Sequence, residues 1–470
     1  MTDTLHPANV LIHIDDHLEE SLGELFDFLR IPSISANSDF NEETRNGAAW
    51  VQEAATAAGL ENARIIETDG HPIVYADWTH AHTAPTVLIY GHYDVQPPEP
   101  LDLWTSPAFE PEVRDGDIYA RGAVDDKGQV HLHLKAIAAW MKVHGKLPIN
   151  VKLVIEGEEE IGSANLEPFV RENADLLACD AVMISDTPMH DVDMPSITYG
   201  LRGMAYFELH VRGADRDLHS GMFGGIVANP INVLSALIAG MKDSENRITL
   251  PGFYDPVVDV SDEERLRLAD LPYDVESMKE MIDIPSTVGE SGYTDLERLW
   301  ARPTLDVCGI WGGYQGEGAK TVLPSRAAAK ISMRLVADQS PEQVEGALRA
   351  YLESASPAGV TVDLVSLHGG PPALVDTKSA PVRAATAALA EAFGTEARLI
   401  RNGGSIPIVA DFAQQLEAPV VLMGFGLPDQ NAHAPDEKMS LANYHRGIKS
   451  AALFLSKFGE EFDANGEGEQ

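Results

Sequence analysis

Cysteine is almost missing from this chain. Only Cys179 and Cys308 occur among its 470 residues. Two cysteines cannot build a disulfide framework or a cysteine metal knuckle, so both classes of site are excluded. We expect the two thiols to be reduced and buried.

Basic residues are also scarce. Lys and Arg total 34 against 73 Asp and Glu, which gives a formal net charge of −39. This charge repels nucleic acid and anionic membranes and leaves no basic stripe, so we expect neither as a partner. The acidity favours solubility.

Long apolar runs are absent as well. No uncharged apolar run reaches the roughly 18 residues that a membrane span needs. The first 20 residues lack the basic segment and apolar segment of a secretory signal. A cytoplasmic protein is the resulting expectation.

The apolar fraction of 44% is enough to fill the cores of two or three domains in 470 residues. After a helical spacing over residues 8–30, short β-rich runs alternate with helix-like stretches, which predicts an α/β fold. Four runs are short and nearly all apolar, as in strands that are covered on both faces. These runs are 85–90, 149–155, 178–184 and 418–424.

The pattern changes between about residues 196 and 370. The run AYFELHV (205–211) alternates strictly between apolar and polar residues, and runs 330–336 and 360–367 resemble it. Helices are predicted over 229–241 and 340–355, the second with Ser340 as its N-cap. The order β, α, β, α, β indicates an α+β sandwich with half-exposed strands.

Run 418–424 returns to the fully apolar type, which indicates that the sandwich is inserted into the α/β domain. The predicted fold is an α/β domain, with a mixed, mostly parallel sheet covered by helices, that the sandwich interrupts. The predicted bounds are 1–196 and 371–458 for the α/β domain, 197–370 for the insert and 459–470 for an acidic tail.

Each apolar run of the α/β domain is followed by a histidine or by carboxylates. In open α/β sheets the ligand crevice lies at the carboxyl ends of the strands, so these side chains are expected to converge. A further contribution comes from Asp125-Asp126, between a tight turn and a helical stretch. The strand-end residues are His92, Asp94, Glu156 to Glu160, Asp186 and His433.

The converging set predicts a metal centre. Nitrogen and oxygen ligands without cysteine suit zinc, and also manganese or cobalt. Two histidines and three carboxylates overfill one tetrahedral site, but they fit two metals about 3.5 to 4 Å apart that share one carboxylate. Asp94 is placed to orient an imidazole. The predicted ligands are His92, Asp125, Glu160, Asp186 and His433.

Each of these signals is weak when it is taken alone. A His-x-Asp pair usually lies on a surface, Asp125-Asp126 resembles a helix cap, and three consecutive glutamates are usually a solvated loop. Five strand-end positions that all carry metal-ligand types are hard to obtain by chance. The set as a whole therefore favours the metal centre.

Other motifs give no alternative site. In the run GGYQGEGAKT (312–321) the lysine does not stand at the position that a phosphate loop requires, and no apolar strand precedes the run. No His-Glu-x-x-His occurs, and Ser405 lacks the following glycine of a nucleophile elbow. His131 and His133 lie two apart on a predicted helix, hence on different faces, and are interpreted as packing or surface residues.

Seven segments in this order resemble the M20 family of di-zinc metallopeptidases. They are GHYDVQP, YARGAVDDKG, EGEEEIGS, ISD, DLHSG, GGSIP and NAHAPDE. The long insert and RPTLDVCGI look most like the carnosinase-type cytosolic dipeptidases.

The resemblance implies a role for each candidate residue of the metal centre. Asp125 would bridge the two metals, His92 and Asp186 would complete one site, and Glu160 and His433 would complete the other. Glu159 would be the general base. A cis peptide between Asp125 and Asp126 is also implied.

The resemblance further implies hydrolysis of dipeptides. A metal-bridging hydroxide, formed as Glu159 removes a proton from water, would attack the peptide carbonyl. The insert would be a lid and dimerisation domain of a homodimer, with His219 completing the oxyanion pocket of the partner subunit. Arg334 would bind the terminal carboxylate of the substrate, and Ser405 would also contact substrate.

Three alternatives remain open at this point. A deacylase of the same fold would remove an acyl group from an N-acylated amino acid, and the ligands cannot separate it from a dipeptidase. A two-metal phosphoesterase would need basic residues near the metals to bind phosphate. A metal-free scaffold protein would be expected to lack a metal ligand or the general base. Arg401-Asn402 precede GGSIP where carnosinase-like chains commonly carry an acidic residue, which leaves recognition of the free amino terminus open.

Overall fold

The structure is a computed structural model that describes residues 5–404 and 406–466. Ser405, a predicted substrate contact, therefore lies outside the described residues. The chain divides into two compact units. The first comprises Met1–Tyr199, Val375–Ile400 and Asp411–Gln470, and the second comprises Gly200–Leu374 and Arg401–Ala410.

Helices and strands alternate through the first stretch of the chain. The helices are α1 Ala8–Asp16, α2 Leu18–Leu29, α3 Asn41–Ala57, α4 Lys127–His144, α5 Leu166–Glu172 and α6 Ala174–Leu177. The strands are β1 Glu61–Ile66, β2 Ile73–Trp78, β3 Thr86–His92, β4 Glu112–Arg114, β5 Asp117–Tyr119, β6 Asn150–Glu156, β7 Ala181–Ile184 and β8 Ser196–Leu201.

Strands dominate the middle stretch. They are β9 Gly203–Arg212, β10 Leu218–His219, β11 Thr304–Gly312, β12 Val322–Leu323, β13 Arg326–Leu335, β14 Thr361–Gly370 and β15 Ala373–Leu374. The helices are α7 Ser220–Phe223, α8 Pro230–Gly240, α9 Asp262–Ala269, α10 Val275–Met281, α11 Asp295–Trp300 and α12 Pro341–Ala355.

The last stretch returns to mixed elements. These are α13 Ala380–Phe393, β16 Arg398–Asn402, α14 Pro407–Gln415, β17 Val420–Leu422, β18 Lys438–Ser440 and α15 Leu441–Gly466.

The main sheet of the first unit has its strands in the order β1-β2-β6-β3-β7-β17-β8. The four central strands, β6, β3, β7 and β17, are parallel to their neighbours in this group. They coincide with the four apolar runs of the sequence, and consecutive side chains along them are buried. The predicted mixed, mostly parallel sheet is confirmed.

Helices bury this sheet because their apolar faces pack onto it. Helices α3, α4 and α13 contact β2, β3 and β17 respectively, and α15 packs on α4 and α13. A second, small sheet of β18, β5 and β4 lies in the same unit. Through it the segment after residue 437 pairs with the segment before residue 120.

The second unit contains a four-stranded antiparallel sheet in the order β11-β13-β9-β14. The predicted alternation along β9 is confirmed, since Phe207 and Leu209 are buried while Tyr206 and Glu208 are only half-buried. Helices α8 and α12 pack on this sheet and contribute buried leucines to its core. The Ser340 hydroxyl accepts the backbone N–H of Gln343, as an N-cap does.

Some local predictions were wrong. The helical stretch 8–30 breaks at His17, which separates α1 from α2. Residues 459–466 belong to α15 rather than to a tail, because Phe462 packs edge-on against Phe458 and Glu461 pairs with Arg383 at 2.8 Å.

The two cysteines are also less buried than expected. Cys308 is exposed and Cys179 is half-buried. Cys308 lies on β11, an edge strand of its sheet, whose side chains after Leu305 are mostly exposed.

Among the described residues, no helix combines the length and the apolar character that a bilayer crossing requires.

Candidate metal centre

The carboxyl ends of the parallel strands bring the predicted ligands together in the first unit. His92 is the last residue of β3, Glu159 and Glu160 lie in a short turn that follows β6, and Asp186 lies two residues beyond β7. Asp125 precedes α4, and His433 lies in the loop between β17 and β18. This is the convergence that the strand-end pattern predicts.

The six side chains form two neighbouring groups of three. One group is His92, Glu159 and Asp186, and the other is Asp125, Glu160 and His433. Within each group the nitrogen or oxygen atoms that face one another all lie within 4.8 Å.

Asp125 lies between the two groups. Its Oδ1 is 3.1 Å from Nε2 of His92, and its Oδ2 is 3.0 Å from Nε2 of His433. Nε2 of His433 is also 3.1 Å from Oε2 of Glu160, and Nε2 of His92 is 4.0 Å from Oδ2 of Asp186. One carboxylate thus presents one oxygen to each imidazole, which is the position a bridging ligand needs.

The donor set fits two divalent cations. Nitrogen and oxygen ligands at the usual zinc bond lengths lie about 3.3 Å from one another around a tetrahedron. The contacts that Asp125 makes with the two histidines are close to that spacing. Four carboxylates in one cluster would repel one another without cations, and bound cations remove that repulsion.

Without cations, protons would take up part of this negative charge. Burial raises the pKa of Glu159 well above its usual value, and the nearby carboxylates of Asp186 and Asp125 raise it further. Burial, followed by the charge of Asp125, raises the pKa of Asp186 to about 7. Hydrogen bonds to Asp125 and Glu160 raise the pKa of His433 to about 10.

His92 and Asp125 respond in opposite directions. Burial alone would lower the pKa of His92, but hydrogen bonds to Asp125 and Asp94 outweigh burial and raise it well above its usual value. Burial alone would raise the pKa of Asp125, but hydrogen bonds from His433 and His92 lower it overall. The metal-free centre therefore holds imidazolium beside carboxylate, and a cation would displace protons.

Asp94 orients His92. Nδ1 of His92 lies 3.0 Å from the backbone oxygen of Asp94 and 3.3 Å from its Oδ1, which leaves Nε2 to face the cluster. The Asp94 carboxylate also accepts the backbone N–H groups of Glu159 and Glu160 and the Ser35 hydroxyl. One buried carboxylate therefore fixes both an imidazole and the glutamate turn.

The three consecutive glutamates have three different environments. Glu158 turns away from the cluster and accepts hydrogen bonds from the His71 backbone and the Asn165 side chain. Glu159 points into the first group, and Glu160 belongs to the second. The Gln96 side chain donates to Oε2 of Glu160 at 2.9 Å and holds it in place.

The loop that carries Asp125 is tightly constrained. The peptide between Asp125 and Asp126 is cis, as the family resemblance implies. Gly122 has φ +83°, and a Cβ there would lie 2.9 Å from Cγ1 of Val95. At Gly91 a Cβ would lie 2.6 Å from Oδ2 of Asp126, so glycine is needed for this close approach.

The loop that carries His433 is constrained in another way. Asn431, His433 and Asp436 all have positive φ, which non-glycine residues rarely adopt without support from their surroundings. Support comes from Thr105, whose backbone N–H and hydroxyl both donate to the Asp436 carboxylate. His433 remains 55% exposed, whereas His92 is fully buried.

The predicted substrate residues lie in the second unit. His219 is exposed on β10, and its Nδ1 accepts the backbone N–H of Gly221. Arg334 is half-buried on β13 and lines a cavity of about 460 Å³ together with Arg202 and Asp306. Arg401 is bound by Glu264 of the same unit.

Sequence reasoning missed two residues that hold ligands in place. Gln96 binds Glu160, and Glu437 binds the loop of Asp125. Both lie inside quoted motifs, GHYDVQP and NAHAPDE, but their residue types gave no reason to assign them a role. Their position near a ligand in the sequence was the available signal.

A sequence profile described as peptidase family M20/M25/M40 matches residues 88–457. The chain belongs to this family. It is also 35% identical over 467 residues to the Beta-Ala-His dipeptidase of Homo sapiens, covering 95% of this chain and 91% of that one. The predicted membership of the M20 family is therefore confirmed.

Two further relatives are similar over nearly the whole chain. The Cys-Gly metallodipeptidase dug1 of Schizosaccharomyces pombe is 32% identical over 94% of this chain and 96% of its own. The structure of an M20 family metallo-carboxypeptidase, Sso-CP2 from Sulfolobus solfataricus, has a TM-score of 0.82 and 34% identity. That comparison covers 94% of this chain and 99% of the other.

Metal binding should release protons. At pH 7 the raised pKa of His433, about 10, keeps its imidazole protonated, and a cation requires the neutral ring. Zn²⁺ added at pH 7 should therefore release about one proton per protein from the His433 ring alone. Calorimetric titrations in two buffers of different ionisation enthalpy would measure the release.

A matched control uses His445, which pairs with Asp15 away from the cluster. The His445→Asn variant should release as many protons as the unmodified protein, whereas His433→Asn should release fewer. Equal release from all three proteins would contradict the protonation state assigned to His433.

Proposed function

We propose that this protein is a dinuclear metallo-dipeptidase, which hydrolyses the peptide bond of dipeptides. The observation that carries the proposal is the half-buried carboxylate of Glu159 beside His92 and Asp186, next to a second group of metal-ligand side chains. The names of the human and fission-yeast relatives, both dipeptidases, support the choice of substrate.

The proposed ligands divide between two ions that share Asp125. His92 and Asp186 would hold one ion, and Glu160 and His433 would hold the other. Two divalent ions, with zinc as our first choice and manganese or cobalt as substitutes, would polarise the peptide carbonyl and lower the pKa of water.

Glu159 is the proposed general base. Its side chain is half-buried, and its backbone N–H donates to Asp94, which fixes the turn that places its carboxylate at the cluster. There it would take a proton from the attacking water and later give that proton to the leaving amine.

Three residues are proposed to contact the substrate. The guanidinium of Arg334 has the fork shape that matches a terminal carboxylate, and Ser405 would add a polar contact. His219 would stabilise the developing oxyanion in the partner subunit of a homodimer, for which its exposure leaves it accessible. A cytoplasmic location completes the proposal.

A carboxypeptidase is the second candidate function. The Sulfolobus structure that bears that name is as similar in sequence as the dipeptidases are. A carboxypeptidase would accept longer or amino-blocked peptides, whereas a dipeptidase needs a free amino group close to the scissile bond. The deacylase alternative has no comparable support among the named relatives.

Three substrates separate these functions. The metal-loaded protein should release amino acids from a dipeptide, but not from its N-acetylated twin or from a tripeptide, and a chelator should abolish the release. Release of the carboxyl-terminal residue from the tripeptide and the acetylated twin would favour the carboxypeptidase. Release of acetate would favour the deacylase, and cleavage of none would contradict all three functions.

Replacement of the proposed base should separate catalysis from metal binding. Glu159→Gln keeps the size of the side chain but cannot take a proton, so turnover should fall by about 10²- to 10⁴-fold with both metals retained. Turnover and metal content would be measured on the same sample.

Glu158→Gln is the matched control, because the Glu158 carboxylate faces His71 and Asn165 rather than the cluster. This control should stay within about tenfold of the unmodified enzyme. Full turnover in Glu159→Gln, or an equal loss in both variants, would refute the assignment of the base.

A further inference from the structure

Glu437 is a fully buried carboxylate that receives an unusual number of hydrogen bonds. Its Oε1 accepts the backbone N–H groups of Val124 and Asp125 at 3.0 and 3.1 Å. Its Oε2 accepts the backbone N–H of Gly122 at 3.0 Å and Nη1 of Arg121 at 2.6 Å. Charge-assisted bonds of this kind are about twice as strong as neutral ones.

These bonds fix the loop that presents Asp125. The backbone N–H of Asp125 is itself one of the donors, so Glu437 binds the backbone of the ligand residue directly. This loop also needs glycine at position 122, because φ there is +83° and a Cβ would lie 2.9 Å from Cγ1 of Val95. The carboxylate that faces both histidines thus depends on Glu437 for its position.

The same residue belongs to the loop of the second histidine, four positions after His433. The backbone oxygen of Glu437 accepts the N–H of Ala120 at 3.2 Å. Nη2 of Arg121 also lies 3.4 Å from the backbone oxygen of Ala434. Arg121 and Glu437 therefore join the two loops that carry Asp125 and His433.

We infer that Glu437 is a positioning residue that sets the metal affinity of the group formed by Asp125, Glu160 and His433. This inference rests on the proposed dinuclear centre. His433 is half-exposed and lies on a loop with left-handed backbone. This group therefore needs hydrogen bonds from other residues to hold its ligands in position. Residues that orient metal ligands typically change metal affinity by about 10- to 100-fold when they are replaced.

A purely structural role for the Arg121–Glu437 ion pair is the competing explanation. Loss of one partner from a buried pair lowers stability whether or not a metal is near. Metal affinity and unfolding must therefore be measured separately, and a control must lose a buried, paired carboxylate that does not contact the ligands.

Glu437→Gln is the test variant, since an amide of the same size places an NH₂ group against the N–H donors. Zn²⁺ alone would be titrated into the metal-free, full-length protein against a competing chelator. The unmodified protein should bind two equivalents. In the variant the affinity of one equivalent should fall by about 10- to 100-fold and that of the other should change less, and excess Zn²⁺ should restore activity.

Glu297→Gln is the matched control. Glu297 is a buried glutamate of the second unit that pairs with Arg265 at 2.9 Å. It should match the unmodified protein in both Zn²⁺ affinities, even if its thermal unfolding midpoint falls as much as that of Glu437→Gln. If Glu437→Gln does not fold, Glu437→Asp would replace it, because it keeps the charge but withdraws the oxygens by one methylene.

The outcomes separate the two claims. Unchanged affinity for both equivalents in a folded Glu437 variant would overturn the inference and leave the proposed function intact. An equal loss of affinity in Glu297→Gln would overturn it as well. Fewer than two equivalents in the unmodified protein would overturn the proposed centre and the inference together.

Discussion

The structure depends on the stabilisation of four carboxylates that a parallel sheet gathers at one edge. Asp125, Glu159, Glu160 and Asp186 lie within two groups whose facing atoms are less than 4.8 Å apart. Two imidazoles cannot neutralise four such charges, so protons or metal ions must supply the remainder. In the absence of metal, the raised pKa values of Glu159 and Asp186 favour protons on these carboxyls.

The surrounding residues are organised to keep these ligands in place. Asp94 joins an imidazole to the glutamate turn, Gln96 holds Glu160, and Glu437 holds the loop of Asp125. Each support is a side chain whose hydrogen bonds reach backbone groups or a ligand itself. Such supports keep the ligand geometry in the absence of metal, which reduces the ordering that metal binding requires.

Much of this arrangement could be predicted from the sequence. The four apolar runs became the four parallel strands, and their carboxyl ends carry His92, Glu160 and Asp186 because such ends meet at one edge of a sheet. The alternation of apolar and polar residues along β9 likewise predicted which of its side chains are buried in the core of the second unit. These features follow from the periodicity of burial, which sequence records directly.

Other features depend on contacts that periodicity does not record. The apolar spacing does not mark the break at His17, and the continuation of α15 through residue 466 is accompanied by the packing of Phe462 against Phe458. The role of Glu437 depends on donors more than 300 positions earlier in the chain. The different environments of Glu158, Glu159 and Glu160 arise from turn geometry, which three identical residues cannot reveal.

The most direct test of the central claim is a crystal structure of the protein soaked with Mn²⁺ or Zn²⁺, examined by anomalous scattering. Two anomalous peaks about 3.5 to 4 Å apart are expected, each within bonding distance of one Asp125 oxygen. A single peak, or peaks that do not contact Asp125, would contradict that claim.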